Sequence, residues 1–335
     1  MYQPGSLLIT GGCGFIGSEF VNQVCERYSN IPIICVDRLD YCARIENWHD
    51  HVNDNPNFKF IRGDISSRDL IAHILDEYDI DTVVHFAAQT HVDNSFGNSI
   101  EFTKTNVLGT HVLLECCRQW GKIQRFVHMS TDEVYGEIHL DCKEGYCEKQ
   151  LLDPTNPYAA TKAAAEHMVK SYKHSYKLPI QIIRANNNYG PGQHCEKLIP
   201  RFTTLLLNGC KVTIHGEGIS RRNFIHVSDT CRAIIIILEK GELYETYNIG
   251  TDNEFSVMDI ADLLRTIICP VKPLKDILEY VSDRNFNDIR YHLNSDKIRA
   301  LGWSEEVSFH QGLKDTIEWY VDRLDEFTQK LNDHH

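Results

Sequence analysis

The segment Leu7-Leu8-Ile9-Thr10-Gly11-Gly12-Cys13-Gly14-Phe15-Ile16-Gly17 constrains the fold more than any other stretch of the chain. A short apolar, β-branched run feeds directly into three glycines spaced GxxGxxG, and a helix-like stretch follows. A strand that turns this tightly into a helix suits a bound pyrophosphate. The turn itself needs Gly11, close backbone approach needs Gly14 with Phe15 and Ile16 beside it, and tight helix–sheet packing needs Gly17. Asp37 ends the second apolar run, twenty residues past Gly17. An acid there can bind the adenosine 2'- and 3'-hydroxyls and would repel a 2'-phosphate, which favours NAD over NADP. Arg38 is the neighbour that could instead accept such a phosphate.

The rest of the first half alternates in the same way. Leu7–Thr10, Ile33–Val36, Phe58–Ile61, Thr82–Phe86, Phe126–Met129 and Ile180–Ile183 read as strands, separated by helix-like stretches such as Glu19–Tyr28, Leu70–Tyr78 and Leu108–Trp120. Apolar strands with little alternation suit a parallel sheet covered on both faces and wound by right-handed crossovers. The fold class is α/β: a Rossmann-type doubly wound parallel sheet with a smaller C-terminal substrate-binding lobe. Residues 1–186 form the dinucleotide-binding domain, with 222–248 returning to it. Residues 187–221 and 249–330 form the smaller lobe. Ser256 and Asp259 read as a capping pair before the apolar stretch Ile260–Ile268.

Bulk properties remove several classes of function. The 335 residues carry a net charge of -13, which argues against a nucleic-acid partner. The longest aliphatic run, Ile234 to Leu238, is far short of the ~18 residues of a membrane span. No targeting segment is evident, so the expected location is cytoplasmic. The 12 cysteines include no pair of CxxC motifs, so free thiols are expected and no metal site.

Tyr158-Ala159-Ala160-Thr161-Lys162 is a YxxxK motif opening a helix-like stretch, Ala163 to Ser171. Residues i and i+4 share a helix face. A lysine cation one turn away, with the charge of a nicotinamide ring, would favour a phenolate that takes a hydroxyl proton. The plain alternative is a surface helix with an incidental Tyr and Lys. The glycine loop upstream and the Ser130-Thr131 pair argue against it.

These motifs resemble the extended short-chain dehydrogenase/reductases, and specifically the nucleotide-sugar 4,6-dehydratases. The likeness runs nearly end to end. It covers Gly11–Gly17, Gly63-Asp64-Ile65, His85 to Asp93, Ser130 to Gly136, Asn156-Pro157-Tyr158 to Lys162, Asn187 to Pro191, Glu196 to Pro200, Arg222-Asn223-Phe224, Tyr247 to Gly250 and Asp283-Arg284 to Arg290-Tyr291. The resemblance implies bound NAD, held also by Asp64, Ile65, Ala87, Ala88 and Thr105. It implies that Thr131 positions the C4 hydroxyl of a sugar nucleotide and Tyr158 and Lys162 serve its oxidation. Asp132 would then act as acid on the C6 hydroxyl and Glu133 as base at C5, with environments that push their pKa values apart. It implies substrate contacts from Thr90, His91, Thr131, Asn187, Lys197, Leu198, Thr213, His215, Arg222, Asn248 and Arg284, and a homodimer built on the helices near Leu108–Cys117 and Ala163–Tyr172.

The sequence departs from the family pattern at three places. Cys13 replaces a usual Ala, Asn223 stands where many relatives have Asp, and Asn285-Phe286-Asn287 replaces a common Pro-Gly-His. The stretches Asp40-Tyr41-Cys42, His91 to Asn98 and Phe286-Asn287-Asp288 look more like the UDP-glucose than the dTDP-glucose enzymes, toward rhamnose or another deoxysugar. One methyl separates the two bases, worth only ~1–3 kcal/mol in a pocket. Alternatives are an epimerase or decarboxylase of the same superfamily, which lack the acid pair or alter it, and a non-catalytic NAD-binding scaffold.

Overall fold

The structure, a computed structural model, describes residues 1–282 and 288–333. Arg284 and the Asn285-Phe286-Asn287 departure lie outside the described residues. In chain order the strands are β1 (Leu7–Thr10), β2 (Ile33–Asp37), β3 (Phe58–Arg62), β4 (Thr82–His85), β5 (Arg125–Thr131), β6 (Ile180–Ala185), β7 (Asn187–Tyr189), β8 (Val212–His215), β9 (Arg221–His226), β10 (Thr246–Ile249), β11 (Glu254–Ser256) and β12 (Leu278–Val281).

The large sheet is parallel throughout, in the order β10-β6-β5-β4-β1-β2-β3. Its faces are both covered, which is why its strands are apolar without alternating. On one side Phe20, Val21 and Val24 of helix Phe15–Arg27 meet Ile234 and Ile237 of helix Val227–Lys240 over Ile9, Val84 and Ile183. On the other, Ile71, Leu113, Leu114, Val169 and Tyr172 close over Leu8, Val83, Phe126 and Ile182. Each such fully buried side chain contributes roughly 1.5–3 kcal/mol. Strand order reverses at β1, between β2 and β4, and sheets of this kind open a crevice beyond the carboxyl ends of their strands at that point.

The smaller lobe holds a three-stranded sheet, β11-β9-β7, and the pair β12-β8. They pack with helices Leu198–Leu207, Val257–Ile268 and Phe309–Val321 around Phe202, Ile214, Phe224, Leu264 and Leu313. The Ser256–Asp259 capping box is formed, each side chain bonding the other's backbone N–H. Strand β9 pairs with β7 and β11, so residues 222–226 sit in the small sheet. The chain re-enters the large layer with helix Val227–Lys240 and then β10.

One local feature departs from a regular helix. Between Ser99–Phe102 and Thr110–Trp120 the chain makes a π-helical segment, Thr103–Gly109. Single π turns of this kind cluster at functional sites. This one brings Thr105 to the crevice wall and buries Asn106. Among the described residues no helix is long and apolar enough to cross a membrane, and the cysteines are unpaired.

Candidate active site

The glycine loop is held open by geometry only glycine permits. Gly11 has φ +74°, and a Cβ there would lie 2.5 Å from the Ala87 nitrogen. A Cβ on Gly17 would meet the Gly11 carbonyl at 2.2 Å. Gly14, at the cap of helix Phe15–Arg27, offers no side chain, and the helix has no side-chain cap. The first amides of that helix therefore face the crevice without an internal acceptor, an arrangement suited to an anion.

A cavity of about 330 Å³ runs along this loop. Its walls include Gly11, Gly14, Phe15, Ile16, Gly17, Asp37, Arg38, Asp64, Ile65, Ala87, Ala88, Thr105, Tyr158 and Lys162. The dimensions and chemistry fit an extended dinucleotide. Thr105 Oγ1 is buried there with no partner among the described residues, an orphaned polar atom that a bound ligand would satisfy.

At the β2 end of the cavity, Asp37 accepts the backbone N–H of Cys13 at 3.0 Å and of Leu39 at 2.8 Å. These bonds anchor its carboxylate at the tip of β2. Arg38 does not reach forward. It pairs with Asp40 at 2.6 Å, Asp64 at 3.4 Å and Glu101 at 3.5 Å. Its charge is already matched by three carboxylates, which leaves little positive field for a 2'-phosphate.

The reacting groups gather where β5 ends. Thr131 is the last residue of β5, and Asp132–Tyr135 forms a single 3-10 turn beyond it. Thr131 Oγ1 donates to Asp132 Oδ1 at 3.2 Å. Each acid is then gripped by an asparagine amide. Asn186 Nδ2 donates to Asp132 Oδ2 at 2.8 Å, and Asn156 Nδ2 donates to Glu133 Oε2 at 3.0 Å. Both acids are pushed upward. Burial raises Asp132. Burial, with Asp132 adjacent, raises Glu133 to about 7. Two neighbouring carboxyls out of water resist ionising together, and they titrate as a pair.

Tyr158 and Lys162 lie in the first turns of helix Pro157–Tyr176, which starts earlier than Ala163. Both are buried. Lys162 Nζ donates to the Met129 carbonyl at 2.6 Å, and burial lowers its pKa to about 8. Tyr158 is pushed up by burial and by Glu133 and Asp132, with Thr131 pulling the other way. The expected draw toward phenolate rests on Lys162 together with the nicotinamide charge, and the protein's own groups alone hold Tyr158 up.

A second cavity, of about 320 Å³, opens from the first toward the smaller lobe. Thr90, Glu133, Asn187, Glu196, Lys197, Leu198 and Phe224 line both. Glu133 therefore stands at the junction. His91, Thr213, His215 and Arg222 line the second cavity. Lys197 donates to the Thr90 carbonyl at 3.0 Å, and the Arg222 guanidinium stacks 4.6 Å over the Tyr291 ring.

Asn248 is placed elsewhere. It lines neither cavity and is fully buried. Its amide donates to the Tyr146 and Asn294 carbonyls, and its oxygen accepts from Tyr135 at 2.8 Å. That oxygen ends a buried chain running through Tyr135 to Arg184 and Glu166. Both amide protons and the oxygen are engaged inside the protein, so the expected substrate contact is corrected to a structural one. Sequence reasoning also gave no role to Asn156, Asn186 or Glu196. Asn156 had a signal, since it precedes Pro157 at a helix start. Glu196 accepts from Tyr41 at 2.8 Å and lies 3.5 Å from His91 and 3.6 Å from Lys197; burial pushes its pKa up, but His194, Lys197 and His91 together hold it down to about 2.

A glycine-turn cradle, a YxxxK helix and a second lobe over the strand ends define an extended short-chain dehydrogenase/reductase. Comparison with known proteins narrows this. Residues 8–316 match the family described as GDP-mannose 4,6 dehydratase, and the chain belongs to that family. It is 48% identical over 321 residues to an Arabidopsis thaliana trifunctional UDP-glucose 4,6-dehydratase/UDP-4-keto-6-deoxy-D-glucose 3,5-epimerase/UDP-4-keto-L-rhamnose-reductase, covering 96% of this chain and 48% of that protein. The chain thus spans about half the length of such plant relatives. It is 45% identical to the Homo sapiens dTDP-D-glucose 4,6-dehydratase, covering 94% of this chain and 89% of that one. The crystal structure of a Streptomyces venezuelae dTDP-glucose 4,6-dehydratase with NAD bound superposes with TM-score 0.90 at 38% identity, covering 96% and 98% of the two chains. A Thermotoga maritima UDP-glucose 4-epimerase superposes with TM-score 0.86 at 30% identity, covering 95% and 99%. The fold alone therefore does not select the reaction.

Proposed function

We propose that the chain catalyses the NAD-dependent 4,6-dehydration of a nucleoside-diphosphate glucose to the 4-keto-6-deoxy sugar. One observation carries the reading: the adjacent acids Asp132 and Glu133 lie in the turn just past β5 beside Tyr158, with Glu133 at the junction of the cofactor groove and the second cavity. Oxidation or epimerisation at C4 needs Tyr158 and Lys162. Elimination also needs an acid and a base on neighbouring carbons.

NAD, when bound, would supply the reversible hydride exchange that oxidation at C4 and reduction at C6 require. The residues Gly11 to Gly17, Asp37, Asp64 and Thr105 would hold it, and its positive ring supplies the charge that Tyr158 lacks in the protein alone. Thr131 orients the C4 hydroxyl and Tyr158 takes its proton. The new ketone acidifies the C5 proton, which Glu133 removes. Asp132, whose carboxyl burial pushes upward, gives its proton to the leaving C6 oxygen, and water departs. Glu133 then returns a proton to C5. Lys197 and Arg222, with Asn187, Thr213 and His215, bind the diphosphate and nucleotide in the second cavity.

We favour UDP-glucose over dTDP-glucose, toward rhamnose or another deoxysugar, on the motifs around Asp40 and His91 and on the likeness to the plant proteins. We also favour a cytoplasmic homodimer. The inner faces of helices Thr110–Trp120 and Pro157–Tyr176 are used in this chain's own core, while Leu108 and Tyr176 remain exposed beside them. Purified protein is incubated with UDP-glucose and dTDP-glucose in parallel, and the products are weighed by mass spectrometry. Loss of one water from the UDP sugar is expected. Loss from neither would remove the proposal.

A further inference from the structure

Asn156 has two partners on opposite edges of one planar group. Its Oδ1 accepts the Ala159 N–H at 2.8 Å, capping helix Pro157–Tyr176, and its Nδ2 donates to Glu133 Oε2 at 3.0 Å. Its carbonyl also accepts the Ala160 N–H at 2.9 Å, and the residue is 7% exposed. Capping alone does not require asparagine, since Ser, Thr and Asp cap about as well. Ser and Thr are too short to offer a second bond on the far side. Asp would present another acceptor, and an anion, to a carboxylate. Once the cap fixes Oδ1, the rigid amide also fixes where Nδ2 points.

We propose that Asn156 is a positioning residue for the elimination step, tying Glu133 to the cap of the helix that carries Tyr158. The inference rests on the reading of Glu133 as the base. The bond joins two parts of the site: the turn after β5, which holds the acids, and the helix that holds the oxidising pair. It also favours the ionised form of Glu133. Burial and Asp132 push that group upward, while Asn156, Arg222 and Lys197 oppose them. Tyr158 and Tyr291 complete the ionisable groups that face it. Losing the amide donor leaves the base protonated to higher pH.

The test compares Asn156→Ser and Asn156→Asp, both of which keep a cap, with the wild type and with Glu133→Gln. Single-turnover water loss and C4 oxidation, the latter read as transient absorbance of the reduced cofactor, are followed across pH. In Asn156→Ser the acidic limb of water loss should move up by about one pH unit, with C4 oxidation and KM unchanged. In Asn156→Asp it should move further, because a second anion faces Glu133. Melting temperatures check the cap. Should the Ser variant melt early, the Asp variant carries the same comparison. Limbs that coincide with the wild type, or oxidation and elimination falling together with the limb unmoved, overturn the proposal while leaving Glu133 as base if Glu133→Gln has lost elimination. Full elimination by Glu133→Gln overturns the base reading itself, and this inference with it.

Discussion

Asn186 holds Asp132 from the side away from Thr131. Its Nδ2 donates to Asp132 Oδ2 at 2.8 Å, and its own Oδ1 accepts the Thr251 N–H at 3.2 Å, so the amide cannot turn. The acid is thereby fixed between β6 and the end of β5. Replacing Asp132 and Glu133 together by their amides keeps these contacts in shape and removes the protons. Dehydration should fall by about 10³-fold or more, while C4 oxidation persists as a slow rise in reduced cofactor. Full-rate water loss by that double variant would sink the assignment of the pair.

The glycines of the first turn should separate folding from binding. Gly17→Ala places a methyl 2.2 Å from the Gly11 carbonyl, and backbone must shift to admit it. A loss of about 2–4 kcal/mol of stability is expected. At Gly14 the nearest atom is 3.3 Å away and the backbone is extended, so Gly14→Ala should fold within about 1 kcal/mol of wild type. Its cost falls instead on cofactor affinity, because the methyl occupies the approach to the amides. Thermal melts and dinucleotide titrations of both variants check the contrast.

Cofactor choice should depend on the partners of Arg38 as well as on Asp37. With Arg38 paired to Asp40 at 2.6 Å, Asp37→Ala alone should leave NADP a poor ligand. Asp37→Ala combined with Asp40→Ala removes the shortest of the three pairings of the guanidinium and leaves Asp64 and Glu101, and the NAD-to-NADP affinity ratio should then fall by about ten-fold or more. Equal ratios in the single and double variants would show that the Asp40 pairing has no part in selection.

Lys162 gives a pH dependence of stability with an unusual sign. Its pKa is about 8 in the folded protein, against roughly 10.4 in an unfolded chain. Between these values the unfolded chain holds a proton that the folded one has released. Its contribution to stability therefore rises as pH climbs from about 8 to about 10. The difference in melting temperature between wild type and Lys162→Met should widen in favour of the wild type across that window. A difference that is flat with pH would show that the lysine is not desolvated.

The large sheet and the cofactor cradle were legible because they are written locally. A strand, a glycine spacing and a capping box each lie within about ten residues, and unalternating apolar runs announce a sheet covered on both faces. Tyr158 and Lys162 were legible for the same reason, one helical turn apart. The asparagines were not. Asn156, Asn186 and Asn248 look alike in sequence, yet one holds Glu133, one holds Asp132, and one is sealed in the core with Tyr135. Their partners lie 23, 54 and 113 positions away, and no local pattern reports such pairings. Opposite pulls on Tyr158 were likewise invisible, since burial and its two acid neighbours are properties of the folded site.

The π turn at Thr103–Gly109 amounts to one residue more than an ordinary helix would need. It lets Asn106 bridge the Gln89 backbone, accepting from its N–H at 2.7 Å and donating to its carbonyl at 3.0 Å, and also donate to Thr161 Oγ1 at 2.9 Å. A single deletion in this segment would restore the regular register and swing the residues on one side of it by about 100° relative to the other. The crevice wall at Thr105 and the brace on the Tyr158 helix would then part company. In this chain the spacing of the site is set by a count of residues as much as by their kind.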